Sequence, residues 1–225
     1  MAEIISIIGN KGGTGKTTLS HTLSHGLTLL GRRVACVMTD EDREPLSPVG
    51  RRYVIADARS PVARDKVVEK LRDLKSWIGV LDGGANRSIT DITLYQMSDV
   101  VLLPFRDSAE DLRTVMRDLD LFPKAWALPS QWPRNRFQLD AATRLIDTLP
   151  LEFRERILPP FFALSASKVL LQERVPEELP AQLNNGARAL AKQIMAIFED
   201  PFDDVADALG RAAQDGDLSE EADEV

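Results

Sequence analysis

Gly9-Asn10-Lys11-Gly12-Gly13-Thr14-Gly15-Lys16-Thr17-Thr18 is the stretch on which the reading of this chain turns. The apolar run Ile4-Ile5-Ser6-Ile7-Ile8 precedes it, and Leu19 to Leu30 reads as a helix after it. Strand, glycine-rich turn and helix together make the layout of a phosphate-binding loop. Gly12, Gly13 and Gly15 let the backbone curl so that several N–H groups face one point. The new helix turns its positive end to the same place. Lys16 is expected to reach the β- and γ-phosphates, and the Thr17 hydroxyl to ligate Mg²⁺. Thr14 and Thr18 complete the candidate cradle.

The loop departs from the plain spacing at two points. Asn10 stands where a glycine is usual, and a second lysine, Lys11, lies five residues before Lys16.

Composition sets the frame for this loop. A chain of 225 residues with 44% hydrophobic content has room for one α/β domain with a sizeable core, and a tail. It has no run of eighteen apolar residues, so no spanning segment is expected, and the opening residues do not read as a signal peptide. The single cysteine, Cys36, rules out an intrachain disulfide and suits a reducing cytoplasm. Residues 200–225 hold ten acids against one arginine, a charge of −9 within the chain's −7, which leaves the body at +2. The expected organisation is an α/β domain over 1–199 and an acidic, disordered tail over 200–225.

Along the chain, Arg33 to Met38 reads as a buried parallel strand ending in the acidic turn Thr39-Asp40-Glu41-Asp42. Arg43 to Arg51 reads as a loop and Arg52 to Asp57 as a strand, with Ser60 capping a helix that has Pro61 at its first position. Trp77 to Asp82 is an apolar strand ending in aspartate, the Walker B pattern, whose carboxylate acts through the magnesium shell. Gly83, Gly84 and Ala85 follow and permit close backbone approach to the γ-phosphate. Ser98 to Phe105 is a further strand, and Ser108 with Asp111 forms an acidic capping box. Lys124 to Leu128 reads as a strand, Leu139 to Leu149 as a helix, Ile157 to Pro159 as a short last strand, and Ala181 to Phe198 as the closing helix. His21 and His25 share a helix face, but no third metal ligand accompanies them, so they are expected to be packing or surface residues.

The x-K-G-G-x-x-K-[ST] form of the loop resembles the deviant Walker A motif of the ParA/MinD family of dimerising ATPases. Ser98, Asp99, Val101, Pro104, Ser108, Asp111 and Leu112 match that family's pattern beyond the Walker B strand. With the Asp82-Gly83 junction, the likeness is greatest to the short, ParF-like plasmid partition ATPases.

The resemblance implies a doubly wound, mainly parallel sheet flanked by helices, of the P-loop NTPase class. It implies ATP and Mg²⁺ as cofactors, Thr17 and Asp82 holding the metal (Asp82 through water), and an ATP-dependent homodimer in which Lys11 reaches the partner's phosphates. Asp40 aligns with the aspartate that positions the attacking water. Met38 and Glu41-Asp42 depart from the family's D-x-D-P-Q.

The family also implies nonspecific DNA binding on the nucleoid, for which Lys168, Arg174, Arg188 and Lys192 are candidates. It implies as well a small centromere-binding, ParB/ParG-like partner that stimulates hydrolysis. With a strand starting near Glu3, no helix-turn-helix domain is expected ahead of the ATPase. A related ATPase that positions a protein cargo would share this enzymology, and a weakly hydrolysing regulatory dimer would fit the departures around Asp40. A membrane switch is disfavoured by the acidic C-terminus.

Overall fold

The computed structural model describes residues 2–84 and 88–198. Contacts divide the chain into a unit of residues 1–191 and a second of residues 192–225, of which 192–198 are described. The proposed tail and Ala85 therefore fall outside the described residues.

The first unit is built on a seven-stranded sheet. Its strands are β1 (Glu3–Ile7), β2 (Arg33–Met38), β3 (Val54–Asp57), β4 (Trp77–Asp82), β5 (Val100–Phe105), β6 (Ala125–Trp132) and β7 (Phe161–Phe162). Their order across the sheet is β3-β2-β4-β1-β5-β6-β7, and every pairing is parallel. Parallel strands with covered faces read as continuous apolar runs. So it is here: β1 after its first residue, β2 after Arg33, and all of β5 are buried.

The register puts the functional ends level. Ile7 lies opposite Asp82, Asp82 opposite Met38, and Met38 opposite Asp57. The loop after β1, the aspartate closing β4 and the acidic turn after β2 thus emerge together. This is where the chain, having placed β4 on one side of β1, crosses to place β5 on the other. A parallel α/β sheet opens its binding crevice at such a point.

The helices are α1 (Lys16–Leu29), α2 (Pro61–Asp73), α3 (Ser88–Met97), α4 (Ala109–Leu121), α5 (Arg136–Asp147), α6 (Leu151–Arg154) and α7 (Ala181–Met195). α1 is buried on most of its surface, polar residues included. Its hydroxyls return to the helix itself: Ser20 donates to Lys16 O, Thr22 to Thr18 O and Ser24 to Ser20 O. At Gly26 an added Cβ would lie 2.0 Å from the Ala187 carbonyl, so only glycine lets α1 and α7 pack this closely. The core joins Ile4, Ile8, Val37, Leu81, Leu103, Phe105 and Trp132, and a smaller cluster gathers Leu164, Leu170, Val175 and Leu183.

Several expected boundaries move. The strand expected from Arg52 begins at Val54, and the one expected over Lys124–Leu128 runs on to Trp132. Ile157 makes only an isolated bridge to Ala127, and the last strand is Phe161–Phe162. Ser165–Leu171 forms a 3-10 helix, and the closing helix ends at Met195, with a 3-10 turn over Ala196–Phe198.

Candidate functional site

The loop between β1 and α1 has the conformation that its glycines allow. Gly13 and Gly15 take φ of 77° and 90°, in the left-handed region. Gly15 is the N-cap of α1 and supplies no side-chain oxygen, and the first turn holds no acid. The opening N–H groups of the helix are thus left to an anion, with the helix dipole behind them.

Lys16 is 7% exposed, and its ammonium donates at 2.9 Å to both the Gly9 and Lys11 carbonyls. Burial lowers its pKa, while Asp91, Asp82 and Asp118 oppose that shift in order of effect. Lys11 instead faces the start of α4. Its ammonium donates to Glu110 Oε1 at 2.5 Å and lies 3.8 Å from Asp111, and its side chain is 35% exposed. The hydrogen bond to Glu110 is the main cause of its raised pKa. The two lysines of the motif therefore serve different sides of the loop.

Asp82 is fully buried at the end of β4. Its Oδ1 accepts from Ser20 Oγ at 2.9 Å, whereas Oδ2 has no partner among the described residues. Burial pushes its carboxyl up to about 6, with Ser20 opposing. A buried carboxylate oxygen without a partner fits a hydrated divalent cation, and the Thr17 hydroxyl, which accepts from Arg43 at 2.9 Å, stands in the first turn of α1. Gly83 is needed for β1 itself, because a Cβ there would come within 2.8 Å of the Ile7 carbonyl. Gly84 is buried beside it.

A cavity of about 220 Å³ opens over the loop. Residues 13–18 line one side of it, with Asp40, Arg43 and Gly83 facing them. Asp40 Oδ1 accepts from the Asp42 N–H at 3.2 Å, and its Oδ2 lies 3.4 Å from Arg43 Nε. A second cavity of about 250 Å³ shares Gly15 and Thr18 with the first and is walled by Leu19, Phe161, Leu164 and Gln131. Ser130 Oγ donates to the Thr14 carbonyl at 2.6 Å, which ties β6 to the loop.

Four further residues bear on the loop. Asp118 accepts from the Asn10 backbone N–H at 3.3 Å and side-chain amide at 2.8 Å, so Asn10 anchors the loop to α4. Asp91 accepts from Gly9 N–H at 3.3 Å and has its other oxygen unpartnered among the described residues. Arg43 donates to Thr17 Oγ1 at 2.9 Å. Gln131 stands in a left-handed conformation, φ 53°, with its amide where a Cβ on Gly15 would go. Backbone strain of that kind gathers at binding sites, and Gln131 also lines the second cavity.

Other expected residues resolve into scaffold. Asp99 accepts from Ile4 N–H at 2.8 Å and pairs with Arg72, and Ser98 donates to Leu94 O at 2.6 Å. His21 bonds the Tyr53 hydroxyl and His25 the Asn184 amide oxygen, both at 2.8 Å, so both histidines are packing residues. The candidate DNA cations stand on separate segments. Lys168, on the 3-10 helix, lines the second cavity; Arg174 is exposed in the following loop; Arg188 sits on α7; and Lys192 lies beyond the first unit.

The family profile described as CobQ/CobB/MinD/ParA nucleotide binding domain matches residues 5–200. No curated protein matches the chain in sequence. Among solved structures, the MinD cell division protein of Aquifex aeolicus is similar over 87% of this chain and 97% of its own, with a TM-score of 0.65 at 17% identity. A candidate plasmid partition protein of Borrelia burgdorferi, bound to AMPPNP, covers 87% and 99% at 0.60 and 13% identity. Cobyrinic acid a,c-diamide synthase of Mycobacterium smegmatis, with ADP and magnesium, covers 89% and 97% at 0.57 and 17% identity.

Proposed function

The chain belongs to the CobQ/CobB/MinD/ParA nucleotide-binding family, and from that premise we propose that it is a ParA-like ATPase that dimerises on ATP and segregates plasmid or chromosomal DNA. The observation that carries this reading is the division of labour between the two loop lysines. Lys16 is buried within its own loop, while Lys11 lies at the surface on an exposed acidic partner, where a second subunit can draw it away.

When bound, ATP supplies the phosphoanhydride bond that water cleaves, and Mg²⁺ supplies charge to neutralise the departing phosphates. The chain's own groups have separate tasks. The N–H groups at the start of α1 bind the phosphates. Lys16 exchanges two carbonyls for phosphate oxygens, at the gain of a charge-assisted bond. Thr17 and Asp82 would hold the metal, Asp82 through water. The second cavity, with its Leu19, Phe161 and Leu164 walls, takes the base. Asp40, on the β2 side of the first cavity, orients the attacking water.

The partner's Lys11 adds positive charge where the transition state spreads negative charge. It holds the two subunits together only while a terminal phosphate is there to pair with, so turnover releases the dimer. The dimer binds DNA electrostatically through cations such as Arg174, Arg188, Lys168 and Lys192. A small ParB/ParG-like protein supplies sequence recognition and stimulates hydrolysis. Among the described residues no helix is long and apolar enough to cross a membrane.

The test is ATP turnover measured with DNA and the partner present, set against Lys16→Ala. Turnover above that control is expected, and turnover equal to it would leave a non-hydrolysing nucleotide-dependent dimer. Lys11→Ala is expected to keep ATP binding and to lose ATP-dependent dimerisation by light scattering. Unchanged dimerisation would remove Lys11 from the interface.

A further inference from the structure

Arg43 places a second cation in the phosphate cavity, and the motif does not account for it. Its guanidinium donates to Thr17 Oγ1 at 2.9 Å, and its Nε lies 3.4 Å from Asp40 Oδ2. Its backbone is fixed from two sides. The Arg43 N–H donates to the Asp40 carbonyl at 3.2 Å, and the Arg43 carbonyl accepts from Arg59 at 3.0 Å. Arg59 is itself forked onto Asp57 with two bonds of 2.9 Å. The turn is thus anchored at the ends of β2 and β3, while the Arg43 side chain, 54% exposed, remains able to swing.

We propose that Arg43 is a ligand of the nucleotide's terminal phosphate, acting within its own subunit, and that it makes the site favour a nucleoside triphosphate over a diphosphate. This deepens the nucleotide reading above and rests on it. The two cavities give the direction. They meet at Gly15 and Thr18, the apolar one toward β6 and β7, the polar one toward β2 and β4. A nucleotide with its base in the apolar cavity runs its phosphates toward Asp40, Arg43 and Gly83. The last phosphate then comes nearest Arg43.

Charge makes the same case. Asp40 lines that end of the cavity with Asp82 buried near it, and Lys16 alone would face a carboxylate and a polyanion there. Arg43 offsets Asp40 and offers a planar fork suited to phosphate oxygens. Thr17, released from Arg43, becomes free for the metal.

The test compares the affinities of wild type, Arg43→Ala, Arg43→Gln and Arg43→Lys for a nonhydrolysable ATP analogue and for ADP, at fixed Mg²⁺, by isothermal titration calorimetry. Arg43→Ala and Arg43→Gln are expected to weaken the triphosphate about tenfold and ADP less than about twofold, the low end for a half-exposed charged hydrogen bond. Arg43→Lys should fall between, since it keeps the charge and loses the fork. Equal losses for both nucleotides, or none, would overturn the assignment while leaving the nucleotide site in place. A wild-type chain that binds neither nucleotide would overturn the site reading and the role of Arg43 together.

Discussion

Asp91 holds up the phosphate loop with one carboxylate oxygen and leaves the other without a partner among the described residues. Burial raises its carboxyl to about 6 from an ordinary 3.8, with the Lys16 charge opposing and Asp118 reinforcing. The folded chain thus binds this proton more tightly than the unfolded chain does. Its contribution to stability is greatest below pH 4 and is lost as pH rises through 6. Asp91→Asn keeps an acceptor for Gly9 and removes the buried charge. It is expected to raise stability at pH 7.5 by about 1–3 kcal/mol and to add nothing at pH 4. Thermal melts at the two pH values check this, and a lower melting point at pH 7.5 would mean that the attraction to Lys16 outweighs burial. Neither Asp91 nor Asp118 could be read from the chain. They lie 82 and 108 residues from the backbone groups they hold, and each looks like an ordinary helix residue until the sheet brings it under the loop. The places of Lys16 and Asp82 were legible because the glycine-rich loop and the apolar strand that hold them are local patterns.

Arg156 does for α4 what no residue of that helix does for itself. Its guanidinium donates to the carbonyls of Leu119 at 3.0 Å, Phe122 at 2.6 Å and Ala125 at 2.9 Å, gathering the acceptors at the helix's end and the start of β6. A cation there also complements the negative end of the helix. Arg156→Ala is expected to cost about 2–3 kcal/mol in urea denaturation, and Arg156→Lys to recover only part, for want of the fork. An unchanged midpoint for the alanine variant would show that water replaces these bonds at no cost. Elements differed in how well they could be read. β2 and β4 were placed to the residue because both are buried on two faces and bounded by polar turns. The N-caps were placed too: Ser60 accepts from Ala63 N–H and Ser108 from Asp111 N–H, but the Asp111 carboxylate accepts from the Ser108 hydroxyl and Arg106 N–H rather than from the Ser108 N–H of a capping box. The last strand was misplaced from Phe161–Phe162 to Ile157–Pro159. A two-residue edge strand has no periodicity, and Pro159 and Pro160 interrupt the apolar run that contains it.

At the scale of the whole molecule, charge is divided unevenly, with the body at +2 and residues 200–225 at −9. If the proposed DNA surface is on the body, the tail competes with DNA for it. Removing residues 203–225 is expected to leave the melting temperature unchanged and to tighten DNA binding in a gel shift. Weaker binding would refute the competition. The strand order has a consequence of another kind. β1 is hydrogen-bonded along both edges, to β4 and to β5, while β3 has β2 alone and closes the sheet after four residues. Deuterium should therefore enter β3 early and reach Ile5, Ser6 and Ile7 only when the sheet opens globally. The proposed nucleotide would then be gripped by the part of the protein slowest to come undone, while the edge of the sheet at β3 could loosen without letting it go.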